Sequence, residues 1–449
     1  MQHMKRKIIC ALTASAAAIL LLACGNAEVR PDVEKTGDQV EEAAGITAQT
    51  PLEPETEETP AAPFHIGIIT GSLSQSEDDR RGAEAFQNKY GADNVTIAIY
   101  PDNFTEEPEI TVQTIVNLSE DPLMKAIIVN QAVDGTTEAF RQIHEKRPDI
   151  ICIAGEAYED FADIGETADL VVNCDFINRG YLIIRTAHEL GCDTFVHISF
   201  PRHLSYETVS RRVAVMRAAC REFGMKFEME EAPDPITEVG VPRAQVYIRE
   251  HILEWLEKYG SNSAYFCTND AHTEPLISGL LRNGGYFIEA DLPSPLMGYP
   301  GALGLDLTAE AGDFEKILKK VEAGVVERGG AGRFGTWAYS YGYTSSAGLA
   351  EHARNVLLGE SSLTDISDLA RAYGIFSPGA DWNGSVYTDA ETGERSDNTI
   401  LIYQDTYILG DPGHYVGATK VEVPAEYHAV SHMEAPLNAG DEEDPDEKE

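Results

Sequence analysis

From Phe64 onward the sequence alternates, with little interruption, between two kinds of segment, and this alternation limits the fold more than any other feature. Short runs rich in Val and Ile close on Gly, Asn, Asp or Pro, and each is followed by a longer stretch with apolar residues at helical spacing. Strands are predicted over 65–70, 95–100, 126–130, 150–154 and 170–173, and a second set over 194–199, 226–229 and 264–268. Helices are predicted over 79–90, 110–118, 136–146, 178–190, 206–223, 243–259 and 273–282. In the stretch 243–259, Val246, Ile248, Ile252, Leu253, Trp255 and Leu256 mark the apolar side. Strand and helix in strict turn imply a parallel sheet with right-handed crossovers and helices on both faces. The expected fold class is therefore α/β: two doubly wound, Rossmann-like parallel-sheet lobes joined by hinge crossovers.

The segments flanking this body have another character. Lys5, Arg6 and Lys7 precede an uncharged apolar stretch, 8–23, that ends Leu21-Leu22-Ala23-Cys24. Basic, apolar and small residues in that order describe a secretory signal peptide, and the stretch is short for a membrane span, which needs ~20 apolar residues. Its last four residues resemble the lipobox of bacterial lipoproteins. That resemblance implies cleavage before Cys24 and lipidation of its thiol, so the expectation is a protein lipid-anchored to the cell membrane on its extracytoplasmic face. Residues 24–63 carry ten acidic and two basic side chains, and 431–449 carry eight and one. We read these as a disordered acidic tether and tail. A formal charge of −41 argues against nucleic acid or anionic lipid as a partner. Cys152, Cys174, Cys192, Cys220 and Cys267 remain in the body; an odd number cannot all pair, and no spacing among them suggests a metal or redox site, so they are read as buried thiols.

The body resembles the type I periplasmic-binding-protein fold, shared by sugar- and nucleoside-binding lipoproteins and by the effector domains of LacI-type repressors, and within it an uncharacterised family of lipoproteins. The resemblance rests on Ala264-Tyr265-Phe266-Cys267-Thr268-Asn269-Asp270-Ala271 and the helix after it, on Ile66-Gly67-Ile68-Ile69-Thr70-Gly71-Ser72, and on 342–358 as a helix returning to the first lobe. It implies lobe I over 64–175, completed by about 338–360, and lobe II over 176–337, with hinges near Asp175, 301–305 and Trp337. Residues 361–430 exceed that fold. They are expected as an extension packed on the lobes, with Asp381-Trp382-Asn383-Gly384 a turn and 399–403 and 407–409 short strands.

Ligands of open α/β sheets sit beyond the carboxyl ends of the strands. That rule nominates Ser72, Ser74, Gln75, Asn130, Gln131 and Glu156 from lobe I, with Arg202, His203, Asn269, Asp270 and Tyr299 from lobe II. The bland alternatives are helix caps for the serines and Asn269-Asp270, and turn residues for Asn130-Gln131 and Arg202-His203. The segment 337–343 carries four aromatics at alternate positions, suited to core packing at the lobe junction or to a stacking wall for a ligand.

The fold that this resemblance implies needs no chemistry of its own. The expected function is capture of a small polar ligand by a monomer, without cofactor or metal, for an ABC-type permease; a membrane sensor is the alternative partner. An enzyme is disfavoured: Gly-x-Ser-x-Gly and a phosphate-binding P-loop are missing from the sequence. Gly330-Ala331-Gly332-Arg333-Phe334-Gly335 matches Gly-x-Gly-x-x-Gly but precedes a strand instead of linking strand to helix.

Overall fold

A computed structural model of the chain describes residues 64–430 other than Glu391 and Ala429; the leader, Cys24, the tether and the tail lie outside the described residues. Lobe I begins β1 (His65–Thr70), α1 (Glu77–Tyr90), β2 (Val95–Ile99), α2 (Pro108–Leu118), β3 (Met124–Asn130), α3 (Thr136–Lys146), β4 (Ile151–Gly155), α4 (Phe161–Gly165) and β5 (Leu170–Cys174). The central strand β3 reads Ala126-Ile127-Ile128-Val129, all fully buried. Such a continuous apolar run belongs to a parallel strand covered by helices on both faces.

The chain then crosses to lobe II: α5 (Phe176–Glu189), β6 (Thr194–Ser199), α6 (Pro201–Leu204), α7 (Glu207–Glu222), β7 (Lys226–Glu231), α8 (Gly240–Tyr259), β8 (Ser263–Cys267), α9 (Asp270–Asn283), α10 (Tyr299–Leu303), α11 (Phe314–Glu327) and β9 (Gly335–Thr336). Strands β7, β6 and β8 form a parallel sheet, and single bridges from Ala264 to Tyr286 and from Phe287 to Phe334 continue it toward β9. Its core gathers Val196, Ile198, Ile248, Ile252, Trp255, Leu276 and Phe287. Each such side chain, once buried, contributes about 1.5–3 kcal/mol.

A second crossover returns to lobe I through α12 (Tyr341–Leu357), α13 (Ile366–Ile375), β10 (Trp382–Thr388) and β11 (Arg395–Gln404). Helix α12 packs against α1 at very short range: a Cβ on Gly82 would stand 2.1 Å from the Tyr343 carbonyl oxygen. A third crossover enters β12 (Tyr407–Ile408), β13 (His414–Tyr415) and α14 (Ala425–His428), where β12 pairs with β9.

Residues 361–430 are therefore not an appendage. Strand β11 pairs in parallel with β5, and β10 closes the edge antiparallel to β11, giving the lobe I order β10-β11-β5-β4-β3-β1-β2. Asp381-Trp382-Asn383-Gly384, expected as a turn, opens β10. Gly384 serves close packing there, since a Cβ would lie 2.3 Å from the Leu401 carbonyl oxygen. The hinge expected near 301–305 is α10 and the loop after it, inside lobe II; the third crossover is Gln404–Thr406.

One buried cluster ties the crossovers together. Arg179, at the start of α5, pairs with Glu289 at 2.9 Å, and both side chains are 2% exposed. The Glu289 carboxylate also accepts from Trp337 Nε1 (3.1 Å) and Thr406 Oγ1, so it holds residues of all three crossovers. Gln404 Oε1 accepts from the backbone amides of Ala338 and Tyr339 beside it. The five body cysteines are free and buried.

Candidate functional site

The carboxyl ends of β3 and β4 meet the first half of α12, and this floor is built around Asn130. Asn130 Nδ2 donates to Asp79 Oδ1 (2.6 Å) and Ser346 Oγ (2.9 Å), while Ser345 Oγ donates to Asn130 Oδ1 (2.8 Å). Asn130 is wholly buried. It therefore orients Asp79 instead of presenting a free amide to a ligand. Asp79 belongs to the inward stripe of α1 with Ala83 and Phe86, an unusual place for an acid. Burial, reinforced by Asp78, pushes its carboxyl up to about 7. Burial and then Asp79 raise Glu156 in turn. Glu156 follows β4 with φ +49°, the one non-glycine positive φ among the described residues, and its amide donates to the Val172 carbonyl at 2.8 Å. Such a backbone costs on the order of 1 kcal/mol unless its surroundings hold it.

Gln131 Oε1 accepts from Ser76 Oγ and Tyr100 OH, each at 3.3 Å. Ser72 and Ser74 do not cap α1, whose N-cap position is Ser76. Ser72 Oγ contacts Ser74 Oγ at 2.7 Å and donates to Asp102 Oδ1 at 2.8 Å, while Gln75 Nε2 reaches the Asp102 carbonyl at 3.2 Å. These residues form an exposed loop cluster at the end of β1.

Lobe II faces this wall with the ends of β6 and β8. Ser199 and Thr268 join them through a buried hydroxyl contact of 2.7 Å. Asn269 caps α9 by accepting from the Ala271 amide at 3.0 Å, which sets Asp270 at the helix start. Water reaches Asp270, but the enclosing cleft and then Asp291 push its carboxyl up to about 7. The charge of Asp270 is felt at the Tyr158 phenol of lobe I, which it helps to raise. Arg202 is not free: Asp234 takes its Nε at 2.6 Å and its Nη2 at 2.9 Å. His203 lies against Phe200, with Nδ1 3.3 Å from Thr268 Oγ1, and burial lowers its pKa. Arg212, wholly buried, pairs with Asp291.

Tyr299 is placed elsewhere. No strand precedes it; it opens α10, is 1% exposed, and donates to the Gly335 carbonyl at 2.7 Å inside the lobe II core. Asp79, Asp102, Tyr100 and Tyr158 were missed by strand-end reasoning. A signal existed for Asp79, because helical spacing sets it in line with Ala83 and Phe86. Of the aromatics in 337–343, Trp337 and Tyr341 are buried at the crossover, while Tyr339 and Tyr343 line a groove of about 590 Å³ with Phe314. That groove holds none of the nominated residues. The one group of metal-ligand character among the described residues, His144, Cys152 and Asp169, has donor atoms within 4.8 Å of one another at the opposite, amino end of β4 and β5. Its Asp169 already accepts from the Cys152 amide at 2.7 Å and pairs with His144 at 3.2 Å.

A family profile described as "Protein of unknown function (DUF3798)" matches residues 64–335. The chain belongs to this family. A second profile, without a description, matches 346–430. A relative from Treponema pallidum (strain Nichols), described as an uncharacterized protein, is 44% identical over 209 residues, which are 46% of this chain and 94% of the relative. A crystal structure from Clostridium difficile 630, provisionally named a transcriptional regulator, aligns with TM-score 0.68 and 21% identity over 77% of this chain and 99% of that one. A sugar ABC transporter structure from Actinomyces odontolyticus ATCC 17982 aligns with TM-score 0.45 and 11% identity, covering 81% and 99%. The fold of this DUF3798 member is a two-lobed, doubly wound α/β fold, shared with the Clostridium difficile structure.

Proposed function

We propose that the protein is an extracytoplasmic solute-binding lipoprotein that captures a small polar ligand between its lobes and delivers it to an ABC-type importer. One observation carries the reading. Two α/β lobes joined by three crossovers turn their strand ends toward each other, and the residues there include carboxylates that no Lys or Arg among the described residues pairs with. Such a crevice is where doubly wound sheets take ligands, and hinge closure about the crossovers is how two lobes sequester them. Cys24 and the acidic tether support anchoring within reach of a membrane partner, and no helix among the described residues is long and apolar enough to cross a membrane.

Thermal-shift screening against sugars, nucleosides, amino acids and amines tests capture. A ligand with micromolar Kd, supplied at millimolar concentration, stabilises by ~4 kcal/mol. The shift is expected to disappear in the Asn269→Ala/Asp270→Ala double variant; an unchanged shift places the site outside the cleft. Labelled palmitate is expected on the wild-type chain and not on Cys24→Ala, and equal labelling of both refutes the anchor.

A further inference from the structure

We propose that lobe I carries a zinc site at the amino ends of β4 and β5, with His144, Cys152 and Asp169 as its protein ligands and water in the fourth position. The cleft lies at the opposite ends of these strands, so the site stands or falls independently of capture.

Three elements bring the donors together: His144 from the last turn of α3, Cys152 from the start of β4 and Asp169 from the residue before β5. No short ligand spacing announces them, because each comes from a different element. One ligand atom from each lies within 4.8 Å of the other two, and His144 Nε2 is 3.2 Å from Asp169 Oδ2. Tetrahedral zinc, with Zn–N and Zn–O near 2.0–2.2 Å, sets such a pair roughly 3.3 Å apart. With Zn–S near 2.3 Å the sulfur belongs roughly 3.6 Å from each, so the cluster has to close by no more than about 1.2 Å. Rotation of His144 and Asp169 supplies that, since their side chains are 28% and 39% exposed over a fully buried Cys152. Thiolate, imidazole and carboxylate together make a donor set that suits zinc.

The backbone sets Asp169 for this task. Its amide donates to the Cys152 carbonyl at 2.9 Å, and its Oδ2 accepts from the Cys152 amide at 2.7 Å, so the carboxylate is fixed against the residue that carries the thiol. Outer hydrogen bonds of this kind orient metal ligands. The cations of the same rim are engaged elsewhere, for Lys125 and Arg147 both pair with Asp149. No Lys or Arg among the described residues pairs with Asp169. A plain hydrogen bond between His144 and Asp169 uses two of the three donors and leaves the thiol out. Zinc uses all three, and the thiol proton that it displaces leaves to water. The bound ion ties the end of α3 to the amino ends of β4 and β5.

The test titrates zinc chloride into the full chain in mild detergent, after treatment with a chelator, and reads calorimetry and thermal shift. Cobalt(II) chloride serves as the spectroscopic probe. About one zinc ion per chain is expected at micromolar Kd or tighter, with a raised denaturation temperature. Cobalt is expected to show the ultraviolet charge-transfer band of a thiolate ligand. His144→Ala and Asp169→Asn, both at partly exposed positions, are each expected to weaken zinc at least about tenfold. His144→Ala and Cys152→Ala are expected to lose the cobalt band. If circular dichroism shows that Cys152→Ala does not fold, the band in the wild type and its loss in His144→Ala decide the matter. Because the chain is strongly acidic, loose zinc binding at its carboxylates is the rival. It would exceed one ion per chain, give no thiolate band and be indifferent to His144→Ala, and that pattern overturns the proposal. Absence of zinc binding, or magnesium or calcium bound in preference to zinc, overturns it as well. None of these results touches capture, which is read by ligand shifts lost in the Asn269→Ala/Asp270→Ala variant.

Discussion

Asp79→Asn is expected to make the protein more stable at alkaline pH and to have little effect in mild acid. In the folded chain the Asp79 side chain is 4% exposed and its carboxyl is raised from an ordinary 3.8 to about 7, first by burial and then by Asp78. That is a factor of roughly a thousand in proton affinity, worth about 4 kcal/mol. The sign follows from the direction. Below about pH 4 both folded and unfolded chains hold the proton and nothing is lost. Between about 4 and 7 the unfolded chain ionises first, so stability falls, and above about 7 the penalty is complete. Asparagine keeps an oxygen for Asn130 Nδ2 but cannot ionise; its own NH₂ lacks an obvious acceptor, which costs about 1–3 kcal/mol. Urea denaturation at pH 5 and pH 8 should therefore show the gap between variant and wild type widening in the variant's favour by roughly 2–3 kcal/mol toward pH 8. Because Asp79 and Glu156 repel each other, the Asp79→Asn/Glu156→Gln double variant should gain less than the sum of the singles. A gap that is constant with pH would mean that Asp79 ionises normally, and the reading of the lobe I floor would fail.

Glu289→Ala should destabilise by about 3–5 kcal/mol in urea, since it strands a buried Arg179 and unpairs Trp337 and Thr406; a loss under about 1 kcal/mol would show that the crossovers are not tied there. Gly82→Ala should cost about 1–3 kcal/mol or more by driving α1 off the Tyr343 carbonyl, and an unchanged denaturation midpoint would contradict the close approach of α1 and α12. The body thiols should resist Ellman's reagent in the native protein and react once urea unfolds it: all five are buried, and burial pushes Cys174, Cys192, Cys220 and Cys267 up to about 12. Rapid native reaction of any of them would refute its placement.

The alternation of strand and helix was legible because a buried parallel strand and a two-sided helix write different periods into the sequence. From β1 to α9 the expected elements fall within a few residues of those observed, the largest differences being at helix starts such as Asp270. What failed depended on distant partners. Asp381-Trp382-Asn383-Gly384 carries turn residues, and nothing local says that Gly384 is there for the Leu401 carbonyl. Strand β11 is polar in its first half, so its pairing with β5 is visible only when both are placed. Tyr299 was nominated as a strand-end residue, whereas Pro293, Pro295 and Pro300 shape an irregular segment around it. At the site, the strand-end rule found Glu156 and Asp270 because it needs only topology. It could not show that Arg202 is spent on Asp234, more than thirty residues away. It also could not show that the acidic opening of α1, which reads as a favourable match to the helix dipole, turns Asp79 inward.

These particulars bear on how closure would work. The crossovers are fixed by a cluster whose charges are matched, while the cleft keeps like charges on both lobes: Asp79 and Glu156 on one, Asp270 on the other. At an effective dielectric near 20, two unit charges interact by about 4 kcal/mol at 4 Å and by less as they separate. On the capture reading, like charge on the two walls favours the open form of the empty protein, and a ligand that bridges the walls favours the closed form. Charge on the two walls acts without any ligand as well. With Asp79 and Asp270 raised to about 7, lowering the pH from 8 to 5.5 protonates both and removes the repulsion. Small-angle X-ray scattering should then record a smaller radius of gyration for the empty protein at pH 5.5 than at pH 8. The Glu156→Gln/Asp270→Asn variant, which leaves Asp79 with no carboxylate facing it from lobe II, should lose most of that dependence. An empty wild-type protein whose radius is the same at both pH values would show that these carboxylates do not set the angle between the lobes.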